Sequence, residues 1–311
     1  MTAKLTLGPL LFHWSAEKQR DFHFRMADEA PVDTVCLGEV VCAKRAPFFE
    51  PYLPEVIERL EAAGKEVVLS TLALVANERD MERVRALSCE PNFFVEANDV
   101  AAVALLSGRA HAIGPFVNVY NEETLRFLAR HGATRVCPPL ELPAKSISIL
   151  ARTDAVEMEV QVFGRLALAM SARCFHARSR NLHRDSCQFV CEEDPDGMPV
   201  ETLDGDPFLA VSGPQILSYT FGNLVRELEA LRGMGVRRFR LSPHDIDMVS
   251  VAQIFRDVLD GRKDPEAAFQ TLGDLVRGVP FSNGFYYGAE GVRLCAPSGQ
   301  TAAGPALGDI H

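Results

Sequence analysis

The chain has 311 residues, of which 47% are hydrophobic, and a formal net charge of -10. α/β barrels of about 250 residues commonly form one domain, and a chain of this size buries enough core to fold without disulfides. The acidic balance argues against nucleic acid as a partner, and no segment approaches the ~20 apolar residues of a membrane span.

In chain order, short apolar runs read as strands at 5–12, 34–39, 66–71, 93–97, 112–118, 135–140, 157–163 and 237–241. Between them, amphipathic stretches read as helices at 16–27, 51–63, 78–87, 100–106 and 122–130. Val56, Ile57, Leu60 and Ala63 recur at the helical period. Gly64, Gly108 and Gly132 stand where a left-handed C-cap is wanted. After the seventh strand a polar insert runs from about 171 to 206, and a helix is predicted over 214–232 before the eighth strand. From residue 297 the chain is rich in Gly, Ala, Pro and Ser and is expected to be a disordered tail, leaving 1–296 as a single domain.

Repeated strand–helix alternation predicts a parallel sheet. Eight strands predict its closure, so the expected fold is an irregular TIM-like (β/α)8 barrel with a cysteine-rich insert after the seventh strand. The alternative is an open doubly wound sheet. Against it, Leu10-Leu11-Phe12-His13-Trp14 follows the first strand where a glycine-rich dinucleotide loop would stand.

The eight cysteines come without a secretory signal, which points to a reducing, cytoplasmic setting in which they are thiols or metal ligands. Cys174, Cys187 and Cys191 form C-x12-C-x3-C within the polar insert. Cys42 lies just past the second strand. In a parallel barrel all strand C-terminal ends open on one mouth, so Cys42 and the insert are expected to meet there. Structural zinc prefers two tight cysteine pairs; four soft thiolates from scattered loops fit an iron–sulfur cluster better. Cys36 is the rival fourth ligand, but it lies inside a strand. Cys89, Cys137 and Cys295 read as ordinary thiols.

At these residues the sequence resembles the peptidase U32 family. The resemblance is carried by Leu-Gly-Glu-Val-Val-Cys-Ala-Lys-Arg (37–45), Leu-Ser-Thr-Leu-Ala-Leu-Val (69–75), Ser-Ala-Arg-Cys-Phe-His-Ala-Arg (171–178) and Arg-Leu-Ser-Pro (240–243). It is to the branch of that family serving oxygen-independent ubiquinone synthesis. The resemblance implies a [4Fe–4S] cluster on Cys42, Cys174, Cys187 and Cys191. It also implies a heterodimer with a sister subunit, a lipid-carrier protein as co-worker, and prephenate as oxygen donor for hydroxylation of an isoprenoid quinone precursor.

The mouth offers further candidates: His13, Trp14, Glu39, Ser70, Thr71, Glu96, Asn98, Asp99, Asn118, Tyr120, Glu141, Ser242 and His244. Glu39, Glu96 and Tyr120 are the candidate catalytic residues. The plainer readings are an ion pair with Lys44 or Arg45 for Glu39 and core closure for Tyr120. Glu96 with Asp99 is a candidate acid–base pair, although Asp99 reads equally as a helix cap. His176 and His183 flank cluster cysteines, where each either tunes the site or is solvated. Arg165, Arg173, Arg178, Arg180 and Arg184 form a basic stretch that reads as a solvated loop. Other functions remain open from sequence: a non-catalytic partner stabilised by a cluster or zinc, RNA hydroxylation, and peptide hydrolysis. The last lacks both a G-x-S-x-G elbow and an H-E-x-x-H helix.

Overall fold

Short, mostly buried strands carry the architecture of the computed structural model, which describes residues 3–276 and 278–296. Strands β1 (Lys4–Leu7), β2 (Thr34–Leu37), β3 (Glu66–Ser70), β4 (Phe94–Ala97), β5 (His111–Ile113), β6 (Ala133–Val136) and β7 (Glu157–Met170) pair in parallel in chain order. Then come β8 (Met198–Glu201), β9 (Pro207–Ser212), β10 (Gln215–Asn223) and β11 (Arg238–Leu241). β11 pairs in parallel with both β7 and β1, so the predicted eight-stranded barrel closes. A short β12 (Phe281–Ser282) lies parallel to β10.

The connecting helices are α1 (Ala16–Asp28), α2 (Ala46–Phe49), α3 (Leu53–Ala62), α4 (Glu78–Ser88), α5 (Val100–Leu105), α6 (Glu122–Arg130) and α7 (Ala144–Ala151). They are followed by α8 (Phe175–Ser179), α9 (Leu228–Met234), α10 (Met248–Leu259) and α11 (Pro265–Leu275). Ser15, Asn77, Asp99 and Asn121 each accept a backbone N–H at a helix start, which removes one orphan donor apiece. Gly64, Gly108 and Gly132 adopt the expected left-handed φ of 75°, 83° and 104°.

Leu5, Leu7, Val35, Leu37, Val67, Leu69, Val95 and Ile113 belong to the main apolar core, between strands and helices. The alternate residues point inward, and there the barrel departs from the usual filling of branched apolar side chains. Arg240 bridges Glu159 (2.8 Å) and Glu96 across the axis. One layer below, Arg238 pairs with Glu157 (2.6 Å) and Glu66 (3.1 Å), and Arg135 with Glu66 (2.9 Å). Buried charges are tolerated when paired, and these pairs answer one another's charge, although Glu159 Oε1 and Arg240 Nε have no hydrogen-bond partner among the described residues.

The structure corrects two elements. The predicted helix over 214–232 is instead β10, a 3-10 turn at Val225–Glu227, and the short α9. Leu217, Phe221, Leu224 and Leu228 recur at intervals of three and four and mimic a helix face. Ile216 and Phe221, β-branched and aromatic, instead sit in β10, which pairs with β7 in register Gln215↔Met170 to Asn223↔Phe163. The insert is also more ordered than a loop: β7 runs on to Met170, and β9 and β8 add to β10 as an antiparallel extension. The tail expected from residue 297 lies outside the described residues.

A second apolar cluster closes the C-terminal mouth. It joins Leu10, Leu11, Phe12 and Trp14 from the β1–α1 loop to Val40 and Val41 from the β2–α2 loop, and to Ala210 and Leu217 of the extension. The working space is therefore displaced from the barrel axis to its flank.

Candidate metal centre and adjoining cavity

Cys42, Cys174, Cys187 and Cys191 all border one small cavity of about 20 Å³, together with Lys44, Arg45, His176 and Arg184. Three chain segments bring them there. Cys42 rides on the turn after β2. Gly38, at φ 122°, makes that turn possible, because a Cβ there would stand 2.5 Å from the Ser70 carbonyl. Glu39 then folds the turn back, its Oε1 accepting the N–H groups of Val41 and Cys42, both at 2.8 Å. Cys174 is the N-cap of α8, its sulfur accepting the Ala177 N–H at 3.4 Å. Cys187 and Cys191 flank Gln188 and Phe189, two successive left-handed residues with φ 50° and 55°. Phe189 is anchored edge-on against Phe48, with ring centroids 4.7 Å apart.

The surroundings are cationic. Lys44 Nζ lies 3.7 Å from the Cys187 sulfur and donates to the carbonyls of Arg184 (2.7 Å) and Asp185 (3.2 Å). Arg45 is 3% exposed and hydrogen-bonds the Leu11 carbonyl and the Ser212 hydroxyl, each at 3.3 Å. It also reaches the Cys191 sulfur, while its Nε has no partner among the described residues. Among the described residues no carboxylate lies within ion-pair distance of it; Glu39 acts only from further away. Burial raises the thiols of Cys42 and Cys191, and the Arg45 charge works against that rise. Among the described residues, no three His, Cys, Asp or Glu side chains are grouped as ligands of a single metal ion.

Two histidine–aspartate pairs fasten the cysteine loop to the barrel. His176 Nδ1 accepts the Gly213 N–H (3.2 Å), so its proton sits on Nε2, which donates to Asp194 (2.7 Å). His244 Nε2 accepts the Arg165 N–H (3.0 Å), so Nδ1 donates to Asp196 (3.1 Å). Both rings are fully buried, and both of their nitrogens are engaged. His176 thus holds the loop rather than lying solvated, whereas His183 is exposed.

A larger cavity of about 490 Å³ opens on the flank next door and shares Arg45 as a wall. On the strand side it meets His13, Gly38, Glu39, Ser70 and Thr71; on the helix side it runs past Leu53, Ile57, Val84 and Leu87 of α3 and α4.

The family model for peptidase family U32 matches residues 22–294. The chain belongs to the peptidase U32 family. Among solved structures the chain is similar to N-acetylneuraminate lyase from Fusobacterium nucleatum, with 10% identity, TM-score 0.49 and coverage of 90% of this chain and 82% of that one. It is also similar to dihydropteroate synthase from Thermus thermophilus, with 16% identity, TM-score 0.42 and coverage of 84% and 93%. A third is the tryptophan synthase complex from Pyrococcus furiosus, with 12% identity, TM-score 0.42 and coverage of 89% and 99%.

In this U32 chain the other predicted residues scatter. Glu96 lies inside the barrel and is taken up by Arg240, Ser70 (3.0 Å) and Asn98 (3.2 Å). Asp99 caps α5 through the Ala101 N–H at 2.7 Å, so the two carboxylates are not a working pair. Tyr120 is 45% exposed and donates to Glu141, away from the cysteines. Glu39 makes no ion pair with Lys44 or Arg45 and serves instead as the clasp of the Cys42 turn. Cys36 and Cys137 are buried beside the Arg240 network, where burial first of all pushes their thiols well up. The basic stretch is broken up: Arg165 is buried, Arg180 pairs with Glu193 (2.7 Å) and Arg184 donates to the Ala172 carbonyl (3.1 Å). Sequence reading passed over Arg45 and Lys44 as site residues, although both stand inside the motif that carries Cys42.

Proposed function

We propose that the chain is a UbiV-type, cluster-bearing subunit of an oxygen-independent hydroxylase acting on the ring of a ubiquinone precursor. One observation carries the cofactor part: four cysteines from three segments border a single cavity beside a buried arginine that lacks a carboxylate partner among the described residues. Thiolates suit iron, and a structural zinc wants its ligands gathered on one point. A [4Fe–4S] cluster takes four thiolate ligands, and four cysteines border this cavity.

Cys42, Cys174, Cys187 and Cys191 would hold the cluster, which when bound supplies one-electron transfer without an open iron position. The chain's own residues prepare the place. Lys44 and Arg45 offset the charge of four thiolates, and the Ala177 N–H meets the Cys174 sulfur. The His176–Asp194 and His244–Asp196 pairs hold the far side of the loop. A cavity of about 20 Å³ takes about one water molecule. Cys187, Phe189, Val190 and Cys191 form one wall of that cavity, and the left-handed Gln188 and Phe189 are the strained part of that segment.

The substrate and partners rest on the motifs at 37–45, 69–75 and 171–178. They supply the expectation of a UbiU-like sister subunit, a UbiT-like lipid carrier, prephenate as oxygen donor and a cytoplasmic setting. Among the described residues no helix is long and apolar enough to cross a membrane, and the isoprenoid precursor is presented by the carrier or the sister subunit.

The test is purification without oxygen, followed by assay of iron, sulfide and zinc in the wild type, Cys42→Ala and Cys174→Ala. Iron and sulfide in near-equal amounts, with visible absorption lost in both variants, support the reading. Zinc without sulfide overturns the cluster and makes the chain a structural partner subunit.

A further inference from the structure

The flank cavity holds an unexplained group. His13 is 5% exposed, borders the 490 Å³ cavity, and has no hydrogen-bond partner for either ring nitrogen among the described residues. His23 Nε2 and His111 Nε2 are also unpaired among the described residues but sealed off, whereas the His13 nitrogens keep accessible surface and are open to the cavity. The ring is held in place by Phe48 and Phe189, with centroids 5.4 and 5.8 Å away. Burial and the nearby Arg45 charge lower it to about 4, so it is neutral at pH 7, with one donor and one acceptor nitrogen.

The other polar groups on the strand side are engaged in part, Glu39 keeping Oε2 without a partner among the described residues. Ser70 donates to Glu96, Thr71 accepts from the Asn98 N–H (3.0 Å), and Glu39 Oε1 clasps the Cys42 turn. At the rim Arg83 pairs with Glu50. Arg45 Nε is sealed off from solvent, and Glu39 and Glu90 on the wall disfavour an anion. The rest of the lining is largely apolar, including Phe12, Trp14, Phe49, Ile57, Val84 and Phe93. A volume of this order is ordinary for a small-molecule site.

We propose that the flank cavity binds an uncharged, apolar molecule carrying a single hydroxyl, and that His13 is the residue that pairs with that hydroxyl. The site stands apart from the cluster reading, since none of the four cysteines borders this cavity. A hydroxyl both gives and takes a hydrogen bond, so it satisfies an imidazole in either tautomer. The apolar body fills the channel between α3 and α4.

The experiment compares 2-naphthol with naphthalene on the full-length protein by fluorescence titration. The two probes differ by one hydroxyl, so their ratio in the wild type reads the His13 bond without any mutation. One site per chain is expected, with 2-naphthol bound about tenfold more tightly, the worth of one buried hydrogen bond. His13→Phe keeps the packing on Phe48 and Phe189 and should reduce 2-naphthol to the level of naphthalene. Ile57→Trp fills the channel and should abolish binding of both. Equal affinity for the two probes in the wild type overturns the role of His13. Undiminished binding in Ile57→Trp overturns the site.

Discussion

Replacing Arg45 by methionine should change the stability of the protein in opposite directions depending on the state of the cysteines. The guanidinium is 3% exposed, and its neutral partners are the Leu11 carbonyl and the Ser212 hydroxyl. With the thiols protonated, its charge is answered only by Glu39, from beyond ion-pair distance. Exchange of an incompletely paired buried charge for an apolar side chain is neutral or stabilising by about 1–4 kcal/mol. With four thiolates on a cluster, the same exchange removes their nearest buried cation and costs about 3–5 kcal/mol. The swing between the two forms is at least about 3 kcal/mol, or roughly 6 °C in melting temperature at about 2 °C per kcal/mol for a chain this large. Oxygen-free thermal melts followed by circular dichroism, on wild type and Arg45→Met with and without reconstituted iron and sulfide, measure it. A loss of the same size in both forms would refute the reasoning, and would make Arg45 a plain structural hydrogen-bonder.

Three further perturbations test the frame. Arg240→Met leaves Glu96 and Glu159 buried without their cation and should cost about 3–5 kcal/mol in urea unfolding; a cost below about 1 kcal/mol would mean the barrel interior is wetter than its packing implies. His23 is wholly buried and lowered to about 4 by burial. Its unfolded form binds more protons between pH 4 and 6.5, so stability rises with pH through that window and falls on acidification, by about 3 kcal/mol in all. His23→Phe should flatten that slope in melts taken at pH 7 and pH 5, and an unchanged slope would sink the assignment. Asp194→Asn weakens the bond that holds His176 by about 1.5–3 kcal/mol, so limited proteolysis should cut the 180–190 loop faster while the barrel stays folded; unchanged cleavage would remove the clamp from the account.

The barrel was legible because its signals are local and repeated. Each outer face of a strand is apolar, crossover helices carry caps, and Gly64, Gly108 and Gly132 mark helix ends. The antiparallel extension was not legible, for a physical reason. Its outer strands are partly exposed, so they lack a clean period of two, and Leu217, Phe221, Leu224 and Leu228 fall by accident at helical spacing. There hairpin pairing outweighed the local pattern.

The site divides along a similar line. Cys42 was placed near the insert by topology alone, since parallel strands deliver their C-terminal ends to one mouth, and the cavity lining agrees with that placement. What topology does not convey is which polar groups are left over once the chain has paired its own. Glu96 is prominent in the sequence, yet three partners consume it. His13 is one mouth candidate among many there and Arg45 is passed over, yet both are buried, Arg45 with its Nε unpaired among the described residues and His13 with ring nitrogens open to the cavity. The two share a neighbourhood: Arg45 walls both cavities, and Phe189 of the cysteine loop packs against the His13 ring. A change in that loop would therefore reach a side chain against which His13 rests. If loading the cysteines alters the 2-naphthol affinity, 2-naphthol must alter the loading equilibrium by the same factor. Equal 2-naphthol affinities in the iron-free and iron-loaded protein would separate the two sites energetically, however close they stand.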